Sequence, residues 1–91
     1  MAAWKNAASL DGSDIWSFTA LWSEPNGRVV RGRVSSIQHD AAVDDDGVVT
    51  YVTVQTASSE VIVVQLFGTP VPLSLSIDDL PDEPASTHRP T

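Results

Sequence analysis

The chain has 91 residues, of which twelve are acidic and five basic, no cysteine, and a formal charge of −7. A chain this short forms one domain, and the missing cysteine excludes a disulfide scaffold, a zinc ribbon and a thiol nucleophile. A hydrophobic fraction of 42% argues against wholesale disorder, and the charge argues against a protein whose main task is to neutralise phosphates.

The acidity is concentrated in residues 40–91, which carry a net charge of −8, whereas residues 1–39 carry +1. No run approaches the roughly 20 apolar residues of a membrane span. The first residues also lack the basic start and long apolar run of a secretory signal. We therefore expect a protein of the cytoplasm or of a virus particle, with no membrane partner.

Residues 1–12 are small and polar apart from Trp4 and Leu10. Such a stretch predicts a flexible N-terminal arm, of which Trp4 is the one strong anchor. Because aromatic side chains contribute much of the energy of many interfaces, Trp4 is the first candidate contact residue.

Residues 15–22 alternate aromatic or apolar side chains with small hydroxyl-bearing ones. A period of two over this length favours a half-buried strand. One face of this strand would carry Trp16, Phe18, Ala20 and Trp22. Since aromatic side chains in a small domain usually form its core, we assign Trp16 and Phe18 to the core.

The segment Glu24-Pro25-Asn26-Gly27 predicts a tight turn, because proline fixes its own φ and Asn-Gly adopts positive φ readily. A second, antiparallel strand is predicted over residues 28–38. Gly32 interrupts its alternation, which indicates a bulge or a sharp bend.

A basic cluster, Arg28, Arg31 and Arg33, lies on this second strand. On a five-stranded barrel, basic and aromatic side chains together bind single-stranded oligonucleotides. In the alternative interpretation, the arginines pair with acids of the second half of the chain and the aromatics are core. The charge of −7 favours the alternative, and the three arginines remain candidate polar contacts with a protein partner.

Residues 39–47 predict a polar loop that ends in Asp44-Asp45-Asp46-Gly47. Counted from Asp40, the positions at which a calcium loop needs glycine and glutamate hold Asp45 and Tyr51 instead. The pair His39-Asp40 has no nucleophile elbow or oxyanion loop nearby in the sequence. We therefore expect no metal, no cofactor and no catalytic residue.

Two further strands are predicted over residues 48–56 and 61–67. The second is almost entirely apolar, which favours a central strand covered on both faces and places Val54, Val63 and Leu66 in the core. The same run has high β propensity and no charge or proline, so on the edge of a sheet it would recruit other strands. It is therefore either central or itself an assembly interface.

A last strand is predicted over residues 73–77, at an edge of the sheet because prolines precede it. Residues 81–91 form an acidic, proline-rich tail of disordered type. Between them, Ile77, Asp78, Asp79 and Leu80 combine apolar and acidic side chains and are candidates for partner contact by strand addition. The competing interpretation is a chain end that frays into solvent.

The sequence thus predicts an all-β protein, a small single-domain barrel or sandwich of about five antiparallel strands. The β domain spans residues 13–80, between the flexible N-terminal arm 1–12 and the C-terminal tail 81–91.

A domain of this size without disulfide or metal has a small core, and burial can be completed by a partner. We therefore expect a non-enzymatic interaction or assembly protein whose partner is a protein, itself included, and no small-molecule substrate. More specifically, we expect a structural or accessory subunit of a larger complex, such as a bacterial-virus particle. Two alternatives stay open. One is a small acidic regulator or inhibitor of a single protein, acting as a nucleic-acid mimic. The other is an OB-like module that binds single-stranded nucleic acid.

Overall fold

The protein is described by a computed structural model that covers residues 3–23, 27–41 and 47–80. Its strands are β1 (Ala3–Asn6), β2 (Phe18–Ser23), β3 (Arg28–Ala41), β4 (Val48–Thr56), β5 (Val61–Leu66) and β6 (Pro70–Ser74). Three single 3₁₀ turns lie at Ala7–Ser9, Gly12–Asp14 and Ile77–Asp79.

The described strands form one antiparallel sheet in the order β1-β6-β2-β3-β4-β5. The prediction of a small all-β domain is confirmed, although these strands do not close into a barrel. Because the sheet curls, β5 approaches β2 and the turn at Ala7–Ser9 approaches β4.

The sixth strand comes from the segment that we expected to be a loose arm. β1 pairs with β6, with Trp4 opposite Pro72. Directly after β1, Ala7 and Leu10 are buried in the core. The described part of the arm is therefore packed against the sheet, because its two apolar side chains complete a core that the central strands leave open.

The core lies on the concave face of the curled sheet. Thr50, Val52 and Val54 of β4 are fully buried. The assignment of Val54 and Leu66 to the core is also confirmed. The cluster of buried side chains comprises Ala7, Leu10, Leu21, Val30, Val34, Val52, Val54, Val64, Leu66, Val71 and Leu73.

The aromatic face of β2 points away from this core, contrary to the prediction. Leu21 enters the core, whereas Phe18 and Trp22 are half-buried on the opposite face, with fully buried Ala20 between them. Alternation separates the two faces of a strand without indicating which face lies inward.

Trp16 lies outside β2 and outside the core. Its side chain is 58% exposed, its φ is 76°, and its N–H donates to the Val34 carbonyl at 2.7 Å. A tryptophan at positive φ is rare, and this conformation ends the regular strand before Phe18. The assignment of Trp16 to the core was therefore wrong.

β3 runs for 14 residues, through Ala41, so it includes three residues that we expected in a loop. The register against β4 shifts between Val34 and Ser36, which places the bulge at Ser35, three residues beyond the glycine that predicted it. Gly32 has a different role. A Cβ there would lie 2.2 Å from the Gln55 carbonyl oxygen, so β4 approaches β3 more closely than a side chain allows.

β5 occupies an edge of the described sheet, and its only strand partner there is β4. Its residues alternate between buried and exposed, with Val64 buried and Val63 57% exposed. The prediction of a central strand covered on both faces, and with it the assignment of Val63 to the core, was therefore wrong.

β6 lies between β1 and β2, not at an edge. It pairs with β2 only at Leu73 and Ser74, so its two prolines fall in the part that pairs with β1 alone. The carbonyl of Pro72 instead accepts a hydrogen bond from the Thr19 hydroxyl at 2.8 Å. A side-chain hydroxyl thus satisfies the carbonyl oxygen of a residue that has no N–H to contribute to the ladder.

Several predictions concern residues outside the described ranges, namely the turn at 24–26, the aspartates at 44–46 and the tail at 81–91. Gly27, the last residue of the predicted turn, is described and has a φ of 61°, and its N–H donates to the Ser23 carbonyl at 2.8 Å.

Candidate interaction surface

The face of the sheet opposite the core, here called the outer face, carries three of the eight candidate contact residues, namely Trp4, Arg31 and Arg33. The register places Trp4 beside Pro72, and Phe18 between Ser74 and Arg33. Since directly paired residues share a face, Trp4 of β1, Phe18 of β2, and Arg31 and Arg33 of β3 all lie on the outer face.

The arginine cluster has partners within the chain. The Arg28 guanidinium donates to a Glu60 carboxylate oxygen at 2.9 Å. The guanidinium carbon of Arg33 lies 4.7 Å from the centre of the Phe18 ring, which is a cation–π distance. The pairing of Arg28 with an acid of the second half agrees with the structural interpretation of this cluster.

The outer edge of β5, here called the β5 edge, has backbone groups that no described residue pairs with. At the start of the strand, the Thr56 N–H donates to the Glu60 carbonyl at 2.9 Å. Antiparallel pairs alternate between bonded and non-bonded ones. Val61, Val63 and Gln65 therefore belong to the non-bonded pairs with β4 and direct their N–H and C=O groups away from it.

Exposed apolar side chains accompany this edge on the outer face. Val61 is 65% exposed, Val63 57%, and Phe67, just after the strand, 56%. Gln65 is the one polar side chain in the row, and no charged residue lies between Val61 and Phe67. The β5 edge therefore combines unpaired backbone groups with an uncharged, mostly apolar row of side chains.

The segment after β6 has a mixed character. Leu75 is the most exposed large apolar residue among those described, at 90%. Ile77, Asp78 and Asp79 are exposed in a 3₁₀ turn, which the Ser76 hydroxyl caps by accepting from the Asp78 N–H at 3.3 Å. Leu80 is buried. Of the four residues predicted here, the first three are thus accessible and Leu80 anchors the segment.

His39 joins three parts of the chain. Its Nε2 lies 2.8 Å from the Leu10 carbonyl oxygen, and its Nδ1 lies 2.8 Å from the hydroxyl of Thr50. That hydroxyl also donates to the Ala7 carbonyl at 3.3 Å. Both ring nitrogens are therefore occupied in holding the 7–10 segment on β3 and β4.

An ion pair fixes the same N-terminal segment. The Lys5 ammonium donates to Asp14 at 2.9 Å and lies 3.7 Å from Asp11. The hydrogen bond to Asp14 is the main reason why the pKa of Lys5 is raised. Hydrogen bonds donated by the Ser13 hydroxyl and N–H lower the pKa of Asp11. Both pKa shifts favour the charged forms of Lys5 and Asp11, so the ion pair holds β1 against the turn at Gly12–Asp14.

A shallow groove of about 410 Å³ lies on the outer face beside β5. Gln38, Asp40, Tyr51 and Val63 contribute to its lining, and Gln38 donates to Asp40 at 2.9 Å. The groove continues the β5 edge inward, so a strand added there would also contact Tyr51.

Within the described ranges no three His, Asp or Glu side chains are grouped as metal ligands. No helix there is long and apolar enough to cross a membrane.

Comparison with protein-family models, with curated proteins and with solved structures gave no match to this chain.

Sequence reasoning singled out residues 61–67 as a potential interface but did not name the residues that face the solvent. The signal was available in Gln65. A polar residue in phase with Val61 and Val63 marks that face of the strand as the exposed one.

Proposed function

We propose that this protein is a non-enzymatic interaction protein that joins a larger protein assembly by strand addition at the β5 edge. The carrying observation is that, among the residues the structure describes, the edge has backbone groups without a partner and three exposed apolar side chains, Val61, Val63 and Phe67. In strand addition, the backbone bonds supply affinity and alternate side chains supply specificity.

The energetics support this role. Burying a valine or phenylalanine side chain completely contributes about 1.5–3 kcal/mol. Each of the three side chains is more than half exposed, so covering them contributes about 1 kcal/mol apiece. Val61 and Val63 face away from the core, so the sheet does not need them to be apolar.

Polar side chains that are already bonded to other parts of the chain support a structural role as well. His39 holds the 7–10 segment, and Arg28 is paired with Glu60. We place the assembly in the cytoplasm or in a bacterial-virus particle, where the protein is a small accessory subunit.

The test uses three immobilised baits made from the full chain and an extract of the cells that encode it. Val63→Lys puts a charge on the β5 edge, a device by which natural edges resist pairing. Leu75→Lys makes the same change at an exposed apolar site away from that edge. We expect wild type and Leu75→Lys to retain the same partner protein and Val63→Lys to lose it. Equal retention by all three baits, or retention by none, would refute the proposal.

A further inference from the structure

We infer that the β5 edge also accepts β5 of a second copy of this chain, in an antiparallel pair across a twofold axis. This inference rests on the proposed function, since it names one occupant of the same edge. The observations that carry it are the backbone groups of β5 that have no partner within the described ranges, the lack of charge in this strand and the position of Glu60.

The outward backbone groups allow an antiparallel self-pair. Val61, Val63 and Gln65 all direct their N–H and C=O groups to the free edge. With Val64 on the axis, Val63 of one copy lies opposite Gln65 of the other and exchanges two hydrogen bonds with it. The same register, continued one residue past the end of β5, sets Val61 opposite Phe67, so exposed apolar side chains of the two copies meet.

The charge distribution selects the antiparallel direction. The chain carries −7, so most contacts between two copies bring like charges together. β5 has no charge, and the nearest described acid along the chain is Glu60, which is paired with Arg28. In a parallel pair the two Glu60 side chains would be neighbours. In the antiparallel pair they stand about 27 Å apart, well beyond the Debye length of about 8 Å at physiological salt.

The other described edge suits a second copy less well. β1 has four residues, against six in β5, and includes Lys5. Because both partners in the β5 pair are the same uncharged strand, the contact is isologous and closes as a dimer. Its modest size belongs at the low end of specific interfaces, with a Kd of roughly 1–100 μM.

The experiment is sedimentation equilibrium of the purified full chain from about 1 μM to about 1 mM, a range that brackets this Kd. We expect a monomer–dimer equilibrium that added salt does not weaken, since no charge pair holds the dimer. Val63→Pro removes an N–H that faces the β5 edge and leaves the ladder bonds between β4 and β5 in place. Two such donors are lost per dimer, so we expect the Kd to rise at least about tenfold. Leu75→Lys should leave the Kd within about twofold.

Two further measurements cover the case in which Val63→Pro does not fold. Val63→Lys leaves the backbone intact and should also yield a monomer. In the wild type, the amides of Val61, Val63 and Gln65 should exchange more slowly as concentration rises. A wild type that stays monomeric throughout, or equal weakening by Val63→Lys and Leu75→Lys, would overturn the inference. A monomeric wild type whose β5 edge still captures another protein would overturn the inference alone and leave the proposed function standing.

Discussion

Replacing Gly32 with alanine should destabilise the domain more than any other single methyl addition at a described glycine. A Cβ at this position meets three backbone atoms of β4. They are the Gln55 carbonyl oxygen at 2.2 Å, its carbon at 2.8 Å and the Thr56 Cα at 3.0 Å. Backbone atoms in a paired strand cannot rotate away as a side chain would, so β3 and β4 must separate locally.

The magnitude follows from two opposing effects. Overpacking in a fixed environment costs about 1–3 kcal/mol, and contact with backbone atoms sets this case at the upper end. The lower entropy of the unfolded alanine variant returns about 0.4–1 kcal/mol. We therefore expect a net loss of about 2–3 kcal/mol, out of the roughly 5–14 kcal/mol typical of a domain of this length.

Thermal and urea unfolding, followed by tryptophan fluorescence and circular dichroism, measure this loss. The Tm should fall by roughly 10–20 °C. Gly12→Ala is the matched control, because a Cβ there meets no atom within 4 Å, and its stability should be unchanged or slightly higher. A Gly32→Ala protein as stable as the wild type would show that the two strands are not held this close.

Two further predictions concern the segment that joins the N-terminal strand to the sheet. Thr50→Val removes the buried hydroxyl bonded to His39 and should cost about 1–2 kcal/mol in urea unfolding. Thr53→Val, on the outer face, should cost less. Equal losses would contradict a role of the Thr50 hydroxyl in holding the 7–10 segment. Because the bond to Asp14 raises the pKa of Lys5, the stability it contributes is present below pH 10.5 and is lost as pH rises through the raised value. Lys5→Met should therefore lose less stability than the wild type on alkaline titration, and an identical profile would refute this assignment.

Local patterns predicted the middle of the fold well. Residues 48–56 are rich in Val, Thr and Tyr, and β4 has the predicted bounds. The buried face of β2 was predicted wrongly because both faces of this strand are partly apolar. Leu21 alone decides which face enters the core, and no feature within the strand distinguishes it from Trp22.

Local sequence patterns could not predict which strands are neighbours in the sheet. The run at residues 61–67 is apolar enough for a central strand, yet its position depends on which strands reach β6 and β2. Among the described strands β5 pairs with β4 alone, while at the other edge β1 pairs with β6 and is followed by Ala7 and Leu10 of the core. These are long-range contacts, which the residue pattern of a single strand does not contain.

The contrast between the two described edges argues that the β5 edge is retained for a partner. Natural sheets blunt their edges with short strands, charges, prolines or bulges. β1 is short and includes Lys5, whereas β5 pairs with β4 over six residues without a register shift and holds no charge or proline. A lysine at position 61 or 63 would protect the edge without disturbing the core, because both side chains face away from it. A chain under pressure only to remain monomeric would gain from that change, so the apolar edge favours a role in binding.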